Sequence, residues 1–191
     1  MAKKNGTSFI VEEGAGKGAS IADQEYINAG AKIGTAKEAL GADIVLKVRP
    51  PQESPSLGGD HEVNYIKEGS TLVSFLWPGQ NKELVGKIQE KNVTSFAMDQ
   101  IPRITRAQTF DALSSMANTA GYKAVIMAAE NFGRFFTGQM TAAGKLPPAK
   151  ILVIGGGVAG LAAMATAKSL GAIVRGFDTR PAVKELSLIH I

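Results

Sequence analysis

Residues 151–178 read ILVIGGGVAGLAAMATAKSLGAIVRGFD, and their reading decides the fold. Residues 151–154 form a short apolar run that suits a buried parallel strand. Gly155, Gly157 and Gly160 follow at G-x-G-x-x-G spacing. The first allows a tight turn, the second lets backbone amides come close to a phosphate group, and the third lets a helix pack against the sheet. Residues 158–170 are rich in Ala and Leu, which favour helix. The start of that helix, at Val158 and Ala159, directs the positive end of its dipole at the same place. Gly171 can end it. Residues 173–177 are a second strand that delivers Asp178 to its tip.

Strand, glycine turn, helix, second strand and terminal acid fall in register, which predicts a dinucleotide site. The alternative, a glycine-rich structural turn, accounts only for the glycines. An acid about 20 residues beyond the glycines can hydrogen-bond both hydroxyls of the adenosine ribose. A carboxylate there accepts from a free 2′-OH and repels a 2′-phosphate, so NAD(H) is expected over NADP(H). Arg175 and Arg180 lie nearby and can soften that repulsion.

Working outward, the first hundred residues alternate between apolar runs and helical patterns. Residues 8–12, 44–48, 71–75 and 94–97 read as strands. Residues 21–29, capped by Ser20, 35–40, opened by Thr35 and closed by Gly41, and 82–90, capped by Asn81, read as helices. This alternation predicts a flavodoxin-like α/β domain with a parallel sheet over residues 1–110. Residues 50–59 break it as a Pro/Gly-rich loop. Residues 108–136 read as one long or broken helix, apolar enough to be buried between two domains. Residues 138–150 read as a linker. The expected second domain, 111–191, is this connecting helix and the start of a Rossmann domain. A third strand is wanting, so the chain is expected to be a fragment.

Composition excludes several classes. The chain has 191 residues, 45% hydrophobic and 20% charged, and a net charge of +4 with no basic run of the nucleic-acid-binding kind. It has no cysteine, and its two histidines, His61 and His190, have no metal-ligand spacing. No metal is therefore expected. No stretch reaches the roughly 18 apolar residues of a membrane span, and the N-terminus has no signal-peptide core.

A second constellation precedes the fingerprint. Gln108, Asp111 and Ser114 are spaced three apart, and on one helix such residues share a side. Arg103 stands before them in a loop set by Pro102. A cation, an amide, a carboxylate and a hydroxyl together can grip a carboxamide, a ribose and a pyrophosphate. The same residues also fit an ordinary polar helix face that caps its own N-terminus.

The segments PRITRAQTFDALSSMANTAGYKAV (102–125) and GRFFTGQMTAAGKLPPAKILVIGGGVAGLAAMATAKSLGAIVRGFDTRP (133–181) closely resemble the NAD(H)-binding domain of proton-translocating NAD(P) transhydrogenases. That family is shared with alanine dehydrogenase. FIVEEGAGKGASIADQEYINAGA (9–31) and SFLWPGQNKELV (74–85) also look like it, so the resemblance covers nearly the whole chain. It implies that Arg103, Gln108, Asp111 and Ser114 sit beside the nicotinamide. Gln108 would bridge toward a neighbouring NADP(H)-binding domain, and Asp111 and Arg103 would hold the carboxamide and order the loop. Asp178, Thr179 and Arg180 match the family's second-strand tip, where the adenosine ribose binds, and Gly155, Gly157, Val158, Ala159 and Gly160 are the expected cofactor-binding residues of the glycine turn.

The resemblance also implies a parent complex with a separate NADP(H)-binding domain and a membrane domain, and a dimer of NAD domains. This part would lie on the matrix side of the mitochondrial inner membrane or the cytoplasmic side of a bacterial membrane. The departures matter. Alanine dehydrogenase has a catalytic histidine in a Y-L-H-type segment, where this chain has Trp77, which cannot shuttle a proton. Lys47 matches a substrate-binding lysine of alanine dehydrogenase and, without that histidine, is read as structural or vestigial. Residues 186–191 (LSLIHI) do not resemble the family and look like a cloning or assembly artefact. Two other readings stay open: a soluble alanine dehydrogenase-like enzyme, and a non-catalytic NAD-binding fragment.

Overall fold

The computed structural model describes residues 6–181 and 183. Two compact units divide the chain, Met1–Phe110 and Asp111–Ile191.

In the first unit β1 (Ile10–Glu12) pairs in parallel with β2 (Lys32–Gly34), and α1 (Asp23–Asn28) connects them. After α2 (Ala36–Leu40) come β3 (Ile44–Leu46), β4 (Thr71–Ser74), α3 (Lys82–Glu90) and β5 (Thr94–Ala97). These three strands form a parallel sheet in the order β3-β4-β5. Strands joined by crossover connections are the geometry the alternating pattern predicts. The core gathers Leu40, Val45, Leu72, Leu76, Leu84 and Ile88 with their neighbours. Leu84 and Ile88, four apart on α3, supply its buried stripe. Leu57, inside the segment read as a Pro/Gly-rich loop, is buried there too, because a 3₁₀ turn at Pro55–Leu57 folds it back.

Thr35 opens α2 as expected: its hydroxyl accepts from the Glu38 N–H at 3.3 Å, and Glu38 accepts from the Thr35 N–H at 2.7 Å. Ser20 does not cap α1. It sits left-handed at φ 59°, and the Ala22 N–H is satisfied by Glu25 instead. Asn81 makes no cap bond and donates to the Leu76 carbonyl. The strand β2 is absent from the sequence reading because its three residues hold a single apolar side chain, too short for a period-two pattern.

The second unit begins with α4 (Ala112–Asn131), followed by the antiparallel hairpin β6 (Gln139–Thr141) and β7 (Gly144–Leu146). Then come β8 (Lys150–Ile154), α5 (Val158–Ser169) and β9 (Ile173–Phe177), with β8 and β9 parallel. The expected linker is thus a hairpin. The Thr141 hydroxyl accepts from the Ala143 N–H and donates to the Gly144 carbonyl, holding a turn that lacks the Asn-Gly or Asp-Gly signal. The helix read over residues 108–136 is broken. Residues Thr105–Phe110 are 3₁₀, and α4 starts only after Asp111.

Nor is α4 buried as its apolar composition implies, since Met116, Tyr122 and Met127 are exposed. It packs on α5 through small residues, and Gly121 lies against the Ala159 backbone, where a Cβ would overlap it. Close approach of two helices, rather than bulk, makes this contact. Likewise β8 is half-buried. Ile151 faces the core of Val125, Phe136, Ala149 and Ala167, while Leu152 and Ile154 are exposed, because the helices cover one face of the β8–β9 pair. Residues 186–191, with His190, lie outside the described residues.

Candidate functional site

The glycine turn joins β8 to α5 with each glycine in a distinct setting. Gly155 has φ 101°, a conformation open to glycine and strained for other residues. Gly157 is the N-cap of α5 and faces open space. Gly160 lies so close to the turn that a Cβ would overlap the Gly155 carbonyl oxygen. The first N–H groups of α5, including those of Val158 and Ala159, are not used by the helix itself.

Asp178, beyond the end of β9, accepts from the Gly156 N–H at 2.7 Å. That bond ties the strand tip to the glycine turn across 22 residues of sequence. The same carboxylate accepts from the Arg180 N–H at 2.8 Å, and from its Nε and Nη2, each at 3.0 Å. The Arg180 guanidinium first, then the Arg180 and Gly156 N–H groups, hold the Asp178 carboxyl far below the usual carboxylate range. Arg180 is shifted upward by the same pairing. Thr179 is exposed beside them.

Gly156 is the residue the motif reading passed over. It is buried, it donates to Asp178, and a Cβ there would overlap Val183. A run of three glycines, where the motif needs only its first and third, was the available signal.

Asp111 and Ser114 are brought together. Asp111 is buried and caps α4, accepting from the Ser114 N–H at 3.0 Å and the Ser114 hydroxyl at 2.6 Å. Gln108 and Arg103 are exposed in the segment that ends the first unit. Gln108 lies in 3₁₀ turn, so the single helical side expected for Gln108, Asp111 and Ser114 does not exist. The break follows from Asp111, whose side chain replaces the backbone as partner of the first helical turn.

Three groups in the first unit have structural partners. Lys47 pairs at 3.0 Å with Glu62, which is buried and also accepts from the Gln52 N–H. Lys47→Met is expected to cost about 2 kcal/mol, less than breaking a deeply buried pair because Lys47 is partly solvated. A lowered urea midpoint at constant slope measures this, and an unchanged midpoint contradicts it. His61 accepts from the Val63 N–H and caps a 3₁₀ turn. Trp77 stacks on Phe75 with ring centres 5.8 Å apart and has φ 43°.

Asp99 clamps that turn, accepting from the Leu76 and Trp77 N–H groups at 2.6 and 3.1 Å. Burial pushes the Asp99 carboxyl up, but hydrogen bonds from the Gln100 side chain and these N–H groups outweigh it, leaving it lowered. A lowered folded value means that the stabilisation is complete above the unfolded value, about pH 4, and drains away as pH falls through the folded one. The stability gap between the parent chain and Asp99→Ala should therefore shrink below about pH 4. A constant gap in acid denaturation would remove Asp99 from that role.

The class follows from this geometry: a parallel α/β protein whose second unit holds a strand–glycine turn–helix–strand with an acid at the second strand's tip. The chain belongs to the alanine dehydrogenase/PNT family. The model of its N-terminal domain matches residues 1–120, and that of its C-terminal domain matches residues 124–188. NAD(P) transhydrogenase subunit alpha of Haemophilus influenzae is 58% identical over 95% of this chain and 34% of its own length. Alanine dehydrogenase of Methanococcus maripaludis is 30% identical over 91% of the chain and 45% of its own length. The crystal structure of transhydrogenase from Sinorhizobium meliloti superimposes with a TM-score of 0.88 at 47% identity, over 98% of this chain and 52% of that one. The chain thus spans between a third and about half of these relatives. Among the described residues, no helix is long and apolar enough to cross a membrane.

Proposed function

We propose that the chain is the NAD(H)-binding part of a proton-translocating transhydrogenase, an oxidoreductase component that passes hydride between NADH and NADP⁺. Trp77 carries the choice over alanine dehydrogenase. It stands where that enzyme needs a proton-shuttling histidine, and Lys47, which matches that enzyme's substrate-binding lysine, is engaged with Glu62. The higher identity to transhydrogenase alpha subunits points the same way.

The residues fit an adenine dinucleotide. The open backbone at Gly157 and the unused N–H groups of Gly157, Val158 and Ala159 suit a pyrophosphate, with Gly155 and Gly160 shaping the turn. Asp178, Thr179 and Arg180 would meet the adenosine ribose, with Asp178 favouring NAD(H). When bound, the nicotinamide supplies the hydride itself. The protein's task is then placement, since direct transfer needs two rings in contact and no acid or base at carbon. Arg103, Gln108, Asp111 and Ser114 would orient the carboxamide end, with Gln108 directed toward an NADP(H)-binding domain of the parent complex.

The remaining domains of that complex would anchor it in a mitochondrial inner or bacterial cytoplasmic membrane. A homodimer of NAD domains fits the exposed Phe135 and Leu146, which line a cleft of about 400 Å³ at the end of α4.

The test uses the parent complex. Gln108→Asn should slow hydride transfer from NADH to an NADP⁺ analogue about tenfold or more, with NADH affinity nearly unchanged. Loss of affinity alone would contradict the role, and ammonia-dependent reduction of pyruvate would overturn the function.

A further inference from the structure

We propose that Arg180 is a latch on the ribose-binding acid: its guanidinium must leave Asp178 before a ribose can bind, and it sets how strongly a 2′-phosphate is refused. This rests on the nucleotide-binding reading above and deepens it.

A carboxylate offers about four acceptor positions on its two oxygens. In Asp178 all four are taken: Oδ1 by the Arg180 N–H and Nε, Oδ2 by the Gly156 N–H and Nη2. Two of the four belong to backbone groups: the Gly156 N–H holds the strand tip to the glycine turn, and the Arg180 N–H closes the local turn after Asp178. The other two belong to one flexible side chain. A ribose diol that approaches Asp178 therefore has only the guanidinium's places to enter. Arg180 can yield them, because its side chain is 65% exposed while that of Asp178 is 11% exposed. Acceptor and backbone donors are fixed, and the fork is the movable part.

The same pairing changes the electrostatics. A bare carboxylate at a strand tip repels a 2′-phosphate. Here the carboxylate carries its own cation at 3.0 Å, so the pair presents nearly no net charge to an incoming phosphate. A guanidinium displaced from Asp178 remains on a short tether, two residues away, and can pair with phosphate oxygens in its own right. Arg180 thus competes with the ribose of a non-phosphorylated ligand and assists a 2′-phosphorylated one. Both effects narrow the discrimination that Asp178 alone would give.

The experiment measures dissociation constants of ADP-ribose and 2′-phospho-ADP-ribose for the 191-residue chain by calorimetry. These probes engage only the adenosine half. Arg180→Ala should bind ADP-ribose roughly two- to fivefold more tightly, the scale of removing an exposed ion pair. It should bind the 2′-phosphorylated probe about tenfold or more weakly, as expected where like charges meet. Arg180→Lys, which keeps the cation but loses the fork, should retain most of the affinity for the phosphorylated probe. Unchanged or weakened ADP-ribose binding in Arg180→Ala, while the parent chain binds it, would overturn the latch alone. No binding of either probe by the parent chain and by Arg180→Ala would overturn the nucleotide reading and the latch with it.

Discussion

Gly160→Ala is expected to destabilise the second unit by about 2–3 kcal/mol, the range for forcing extra volume into a packed site. The added methyl would meet the Gly155 carbonyl oxygen, a backbone atom that cannot swing aside. Relief requires α5 to lift from the turn, which also loosens its contact with α4 at Gly121. For a unit of this size the loss should lower the melting temperature by roughly 10 °C or more. Gly157→Ala is the control. It faces open space at φ −75°, so its stability should change by less than about 0.5 kcal/mol. A methyl there would still narrow the approach to the helix N-terminus, and ADP-ribose affinity should fall. Equal melting temperatures for the two variants would mean that the close approach at Gly160 is not what holds the turn.

Asp178→Asn should weaken ADP-ribose binding by about ten- to a hundredfold, the scale of hydrogen bonds to a charged acceptor. Asparagine is the informative change because its carbonyl oxygen can still accept from the Gly156 N–H, so the turn keeps its tie to β9. It cannot hold the Arg180 fork as an ion pair. The released cation and the missing negative charge should together bring 2′-phospho-ADP-ribose closer to ADP-ribose in affinity. Calorimetry on both probes decides this, and unchanged affinities for both would strip Asp178 of its ribose role.

The parts of the fold legible in the sequence are those whose cause is local. The unit β8–glycine turn–α5–β9 could be read because the turn demands glycine at Gly155 and the strand length sets where Asp178 emerges. The start of α2 could be read because Thr35 and Glu38 satisfy each other's N–H groups within one turn. The helix start at Asp111 was obscured for a related reason: apolar periodicity runs through it, and only the side-chain cap marks the break. The hairpin β6–β7 was hidden because a threonine hydroxyl, rather than a turn dipeptide, closes it.

For the candidate site, residue types and spacing were enough to mark Asp178 and the glycines, since a phosphate-sized gap and a strand-tip acid are properties of short segments. Which donors fill the Asp178 carboxylate was not legible. That depends on groups 22 residues away at Gly156 and two residues away at Arg180 arriving within 3.0 Å of the same oxygens. The same holds for Gly121, whose missing side chain matters only because another backbone passes there. Backbone preference and pattern act along the chain, so the order of elements followed from them. Occupied lone pairs, close approaches and covered faces are set by which groups the folded chain brings together, and pattern carries no record of that.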